Sequence, residues 1–167
     1  MDKIDHAQGS LYLKRYSGEE VYPIEQSTYQ FDFDSKFHRY NLYLQLRMGK
    51  LIGGEISDPH AQVTPSWELH FPLIELEMTD IKPGLQLELL YGVLDSVDHD
   101  YCALFHFYES IPSFKNKMEI IEQKGDALLI RLKAATDDVE HYDGTKPYAS
   151  ISAEAWFTFK KTKALEG

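Results

Sequence analysis

Cysteine is nearly absent from this chain: Cys102 is the only one in 167 residues. A single thiol cannot close an intramolecular disulfide, so nothing in the sequence calls for an oxidising compartment. Long apolar runs are missing too. No stretch approaches the roughly 18 residues of a membrane-spanning helix, and the opening MDKIDHAQGS lacks the hydrophobic run of a secretory leader. A cytoplasmic location is the expectation. Positive charge is in short supply, with 17 Lys and Arg against 27 Asp and Glu for a net −10. That is the wrong sign for a surface laid along phosphates, so no nucleic-acid partner is expected. No segment sustains the helical repeat. No nucleophile elbow, P-loop, dinucleotide fingerprint or HExxH occurs.

Aromatic residues, by contrast, are plentiful: 11 Tyr, 9 Phe and 2 Trp. They sit in segments whose apolar residues alternate with polar ones, the period-two signature of strands. Leu11 and Leu13 alternate with Tyr12 and Lys14 within residues 10–16. Tyr29, Phe31 and Phe33 form one face of residues 28–34. Tyr40, Leu42, Leu44, Leu46 and Met48 form one face of 40–48. The segment Val21–Gln26 reads as a weaker extended piece interrupted by Pro23. Residues 114–123 and 127–134 read as a hairpin turning at Lys124-Gly125-Asp126, with Leu128, Ile130, Leu132 and Ala134 inward. The last strand, 148–160, is the most regular, with Ala149, Ile151, Ala153, Ala155, Phe157 and Phe159 on one face.

Residues 66–110 form the central block and read as three consecutive strands. The first two are joined across Asp80-Ile81-Lys82-Pro83-Gly84, where Pro83-Gly84 suits the central positions of a type II turn. In the first strand Trp67, Leu69 and Phe71 share a face. After Pro72 the parity switches to Ile74, Leu76 and Met78, which calls for a bulge or kink at Pro72-Leu73. The third strand, 101–110, is apolar on both faces, as in the covered middle of a sheet. Ile111-Pro112-Ser113 then reads as a break in the ladder.

Nine or ten short strands separated by turns imply an all-β fold, an antiparallel β-sandwich of jelly-roll type, with a closed β-barrel as the alternative. The chain reads as a single domain, 1–167, with a loose start over 1–8 and a basic tail over 161–167.

Four constellations invite a chemical reading. Asp95, Asp98 and Asp100 lie in one acidic loop; Asp137, Asp138, Glu140 and Asp143 lie in another. Calcium takes several loop carboxylates, so the second set is the candidate metal site, although acidic turn residues explain both loops more simply. His6, His38, His60, His70, His99, His106 and His141 show no His-x-His pair, yet His70 and His106 would approach if their strands pair, with Glu68 on the same face as His70. Glu75 and Glu77 would stand roughly 7 Å apart on one strand face, the spacing of a carboxylate pair or of an ordinary solvent face. Tyr12, Tyr16, Tyr22, Tyr43, Tyr142, Tyr148 and Trp156 are rings outside the core positions, of the kind that recognise partners. Cys102, in an apolar strand, reads as a small hydrophobe rather than a thiol nucleophile.

Between Glu75 and Asp100, seven acids face Lys82 alone, a net −6. Such a field suits a partner with a basic surface. The leading expectation is therefore a non-catalytic acidic binding protein of the immunity or inhibitor type, with no cofactor. It would use Asp95, Asp98, Asp100, Tyr142, Tyr148 and Trp156. A carbohydrate or small-ligand module, with calcium or without, is the second reading. An enzyme with a dispersed site of His70, His106 and Glu68 is the third.

Overall fold

The computed structural model describes residues 9–15, 18–35, 38–52, 64–89, 93–95, 100–101, 103–107, 109–136 and 149–160. Twelve strands account for most of them: β1 (Ser10–Arg15), β2 (Gly18–Asp34), β3 (Arg39–Met48), β4 (Ser66–Pro72), β5 (Gln86–Leu89), β6 (Val93–Asp95), β7 (Asp100–Tyr101), β8 (Ala103–Phe107), β9 (Glu109–Pro112), β10 (Phe114–Lys124), β11 (Ala127–Thr136) and β12 (Ala149–Phe159). The protein is all-β and almost wholly antiparallel. Ten strands make one sheet in the order β5-β10-β11-β12-β1-β2-β3-β4-β8-β9, and β6 and β7 pair separately. None of the helices described is long and apolar enough to cross a membrane.

The inner face of this sheet is dry along its whole width. Leu11 and Leu13 of β1, Leu42 to Leu46 on alternate positions of β3, Trp67, Leu69 and Phe71 of β4, Leu128, Ile130 and Leu132 of β11, and Ile151 to Phe157 on alternate positions of β12 belong to one buried cluster. A flat sheet cannot bury a face in this way; the sheet has to curl over on itself. Tyr22 of β2 and Phe107 of β8 show that it does. Three strands apart in the ladder, they would lie roughly 14 Å from each other on a flat sheet, yet their rings meet edge to face at 6.1 Å. Where the alternation led to an expectation of two stacked sheets, the ten strands form one continuous ladder. The ladder is open, with β5 and β9 as its edges, so it is not the closed barrel.

Two devices make the curl. The first is in β2, which runs 17 residues without interruption. Tyr22 and Ile24 are buried, and then Ser27, Tyr29 and Phe31 are. The switch in parity falls at a register shift against β3, between Ile24↔Met48 and Gln26↔Arg47. One extra residue moves every later side chain to the other face and bends the strand. The first part of β2 lies beside β1. Past the start of β1, β12 meets β2 directly in a short parallel pairing, Thr158↔Thr28 and Phe159↔Tyr29. Gly9 sits at this junction with φ +89°, and a Cβ there would come within 2.4 Å of the Glu154 carbonyl oxygen, so only glycine fits.

The second device joins the ends of the sheet. The chain leaves edge strand β9 and enters β10 through Ser113. The Trp67 indole N–H donates to Ser113 Oγ at 3.1 Å, Ser113 Oγ–H donates to Asn116 Oδ1 at 2.6 Å, and the Asn116 amide donates to the Leu89 and Ser113 carbonyls at 3.0 Å. Trp67, Ser113 and Asn116 are fully buried. Each of these buried polar groups is satisfied by another, as burial demands.

The structure bears out several local readings. The hairpin turns after Lys124, which pairs with Ala127, and the inward residues of β11 and β12 are buried up to Phe157. Gly84 has φ +99°, and the Leu85 N–H reaches the Lys82 carbonyl, as a type II turn requires. Pro23 does not interrupt β2; it pairs with Ser10, and its carbonyl accepts the Gly49 N–H.

Others are corrected. The first strand of the central block stops at Pro72 instead of switching faces. Leu73 buries itself and donates to the Tyr40 carbonyl, and Glu75 takes φ +58°. Glu77 and Asp80 then cap one 3-10 turn, Met78–Asp80, reciprocally. Ile74 and Met78 are exposed, so the apparent alternation there has no buried face, and Glu75 and Glu77 share no strand. The strand read over 101–110 is β7, β8 and β9, and β8 is covered on its inner face only, with Leu104 and His106 half-buried outside. Pro112 ends β9 rather than breaking the ladder, which an edge strand permits because it needs no donor on its free side.

Candidate functional site

The outer face of the sheet divides into two contrasting regions. Over β5, β10, β11 and β12 it is charged. The guanidinium of Arg131 donates from Nε to Glu154 at 2.9 Å and lies 3.6 Å from Glu119. Lys117 stands 3.8 Å from Glu88. A shallow groove of about 380 Å³ runs between these side chains. Most of them are exposed, so these are solvated pairs of small net effect.

Over β2, β3, β4 and β8 the outward positions include Gln30 and Asp32, Asn41, Tyr43 and Gln45, Glu68 and His70, and Leu104 and His106. These are half-buried, while Arg47 near the end of β3 is exposed. Register explains how they meet. Tyr43 lies directly opposite His70 and Gln30, and Gln45 lies opposite Glu68. The Tyr43 and His70 rings stack at 4.2 Å with 17° between their planes. The Tyr43 hydroxyl donates to Glu68 Oε1 at 2.9 Å. The other Glu68 oxygen, Oε2, lies 2.9 Å from His106 Nε2. His106 Nδ1 in turn meets the hydroxyl of Ser110, its direct cross-strand partner on β9. The Gln30 amide donates to Asp32 at 2.7 Å. Four strands thereby carry one chain of contacts, Tyr43–Glu68–His106–Ser110.

The electrostatics follow from this packing. Burial, the hydrogen bond to Glu68 and the charges of Glu68 and Asp32 push the Tyr43 phenol well above its usual range, which keeps it a donor. Burial lowers His70, and the charges of Asp32 and Glu68 only partly oppose it, so the stacked ring favours its neutral form.

Sequence reasoning singled out Glu68, His70 and His106 as a possible convergence. The structure brings Glu68 and His106 together, but it places His70 against Tyr43 on the other side of Glu68. All three stand half-buried on the outer face of the sheet. Ser110 and Asp32 had no local signal; the pairing of β8 with β4 and β9 exposes the role of Ser110, and the pairing of β2 with β3 that of Asp32. Trp156 lies half-buried on the charged outer region with the Lys124 ammonium 5.1 Å from its ring centroid. Tyr12 is exposed, whereas Tyr22 points inward and donates to the buried Glu20 at 2.6 Å, which corrects its reading as an outer ring. Asp95 and Asp100 are backbone partners in the β6–β7 ribbon. Asp98, Asp137, Asp138, Glu140, Asp143, Tyr142, Tyr148, Tyr16 and Cys102 lie outside the described residues. Among the described residues no group of three or more His, Cys, Asp or Glu is placed to hold a metal ion.

No protein-family model, curated protein or solved structure matches this chain.

Proposed function

We propose that this chain is a cytoplasmic binding protein that takes a protein partner with a basic surface, of the immunity or inhibitor type. The outer face of β2, β3, β4 and β8 is its docking surface. One observation carries the reading. On this face Tyr43 stacks on His70 and donates to Glu68, Glu68 meets His106 and Gln30 donates to Asp32, so its rings and polar groups are already held to one another. Interface cores are depleted in charge and enriched in tyrosine, and side chains fixed before binding lose less freedom on it. The net charge of −10 supplies the long-range attraction for a basic partner. A carbohydrate platform is less well served, because Tyr43 and His70 turn a face of each ring to the other.

The test is capture from lysate of the source cells on the immobilised full chain, with a glycan array and calcium titration in parallel. The expected result is a protein whose association slows as NaCl rises and whose capture is lost with Tyr43→Ala. A complex indifferent to salt, or a glycan or calcium response without a protein, would overturn the reading.

A further inference from the structure

The contact chain on this face ends on a hydroxyl that can react. We propose that Ser110 is an activated nucleophile for acyl transfer from an uncharged carboxylic ester, with His106 as its general base and Glu68 as the positioning residue. Neutral imidazole has one N–H and one lone pair. The Glu68 carboxylate, 2.9 Å from Nε2, accepts a hydrogen there and so selects the tautomer with the proton on that nitrogen. The lone pair is then on Nδ1, in contact with Ser110 Oγ. Nucleophile, base and orienting carboxylate stand in the order that activates a serine, on β9, β8 and β4 respectively. Tyr43 fixes the carboxylate from its other oxygen at 2.9 Å.

Two other serines among the described residues are placed differently. Ser27 donates to the Trp156 carbonyl and Ser113 to the Asn116 side-chain oxygen; both are buried and end on an acceptor that takes no proton. Ser110 is exposed, so an ester carbonyl can approach it. In the step, Ser110 Oγ bonds to the carbonyl carbon while its proton passes to His106 Nδ1. The carbon–oxygen bond to the leaving alcohol breaks, and that alcohol takes the proton from His106. Water, deprotonated by the same nitrogen, then releases the acid and restores Ser110.

This reactivity needs no partner, so its failure would leave the binding proposal standing. The experiment treats the purified full chain with an uncharged fluorophosphonate, which loses fluoride as its phosphorus bonds to the serine, and with p-nitrophenyl acetate. Adducts are mapped by mass spectrometry. A single adduct on Ser110 is expected, absent in Ser110→Ala. Labelling should slow by about 10²–10⁴-fold in His106→Ala and recover when imidazole is added, a rescue that a purely structural histidine would not show. In Glu68→Gln the pH profile of labelling should move, with circular dichroism unchanged. Labelling no faster than in the heat-unfolded chain, an adduct at another residue, or an unaltered rate in His106→Ala would overturn the proposal.

Discussion

On β10, β11 and β12 the outward side chains include Lys117, Glu119, Arg131, Lys133 and Glu154. On β2, β3 and β4 they include Gln30, Asp32, Asn41, Tyr43, Gln45, Glu68 and His70, with Arg39 and Arg47 towards the two ends of β3. The inner faces of the two regions are equally dry, so core packing does not explain the difference. The charged region meets what water asks of a sheet surface: opposite charges paired across strands, mostly exposed, each pair worth little. The centre of the other region is half-buried and hydrogen-bonded within itself through Gln30–Asp32 and Tyr43–Glu68–His106, a composition that solvation alone does not require. One fold thus carries an outer region made for water and another made for contact, and the substitutions that follow either break that contrast or sharpen it.

The largest effect should come from beneath the contact region. Trp67→Ala empties the space of a fully buried indole and removes a donor from Ser113; a loss of about 3–5 kcal/mol is expected in urea unfolding. Next is Asn116→Ala, which leaves the Leu89 carbonyl and the Ser113 hydroxyl without their buried partner. About 1–3 kcal/mol should be lost, with faster amide exchange at β5 and β9, the sheet ends that this network joins.

The contrast itself is tested by a pair. Tyr43→Phe removes one hydrogen bond from the half-buried face and should cost about 0.5–1.5 kcal/mol. Arg131→Gln removes two exposed pairs and should cost about 0.5 kcal/mol or less. Equal costs would erase the distinction between the regions.

The smallest effect is a slope. Because burial lowers His70 in the fold, the unfolded chain takes its proton first as pH falls below the ordinary value of 6.5. Stability is therefore intact above that value and declines through the window down to the lowered folded value. His70→Gln should flatten this part of the profile in urea midpoints measured across that range. Glu154→Gln, on the charged region, should leave the His70 contribution in place.

What was legible in the sequence was local. The turn at Lys82–Leu85 needed only Pro83-Gly84, and the β10–β11 hairpin only two alternating arms around Gly125. The inward face of β12 was written in its alanines and aromatics. The parity switch lies in β2 and not after Pro72. Pro72 looked like the bend, but the bend is the extra residue in β2, where nothing in Ile24-Glu25-Gln26 marks it. The contact region was less legible still. Glu68 reaches His106 only because β8 lies beside β4 with Ser66 opposite His106, a pairing across 40 residues that no window of sequence displays. Tyr22 failed as an outer ring for a related reason. Its strand buries even positions before the bulge and odd positions after it.

The most direct trial of the central claim is an affinity comparison on the purified, captured partner, with one acid reversed in each region: Glu68→Lys and Glu154→Lys. Both change the net charge equally, so steering by overall charge cancels. A loss of about 100-fold or more is expected for Glu68→Lys, as for a charge wrongly placed in an interface centre, with Glu154→Lys within a few-fold of the parent. Equal losses, or the larger loss at Glu154, would contradict the assignment of contact to the β2–β3–β4–β8 face.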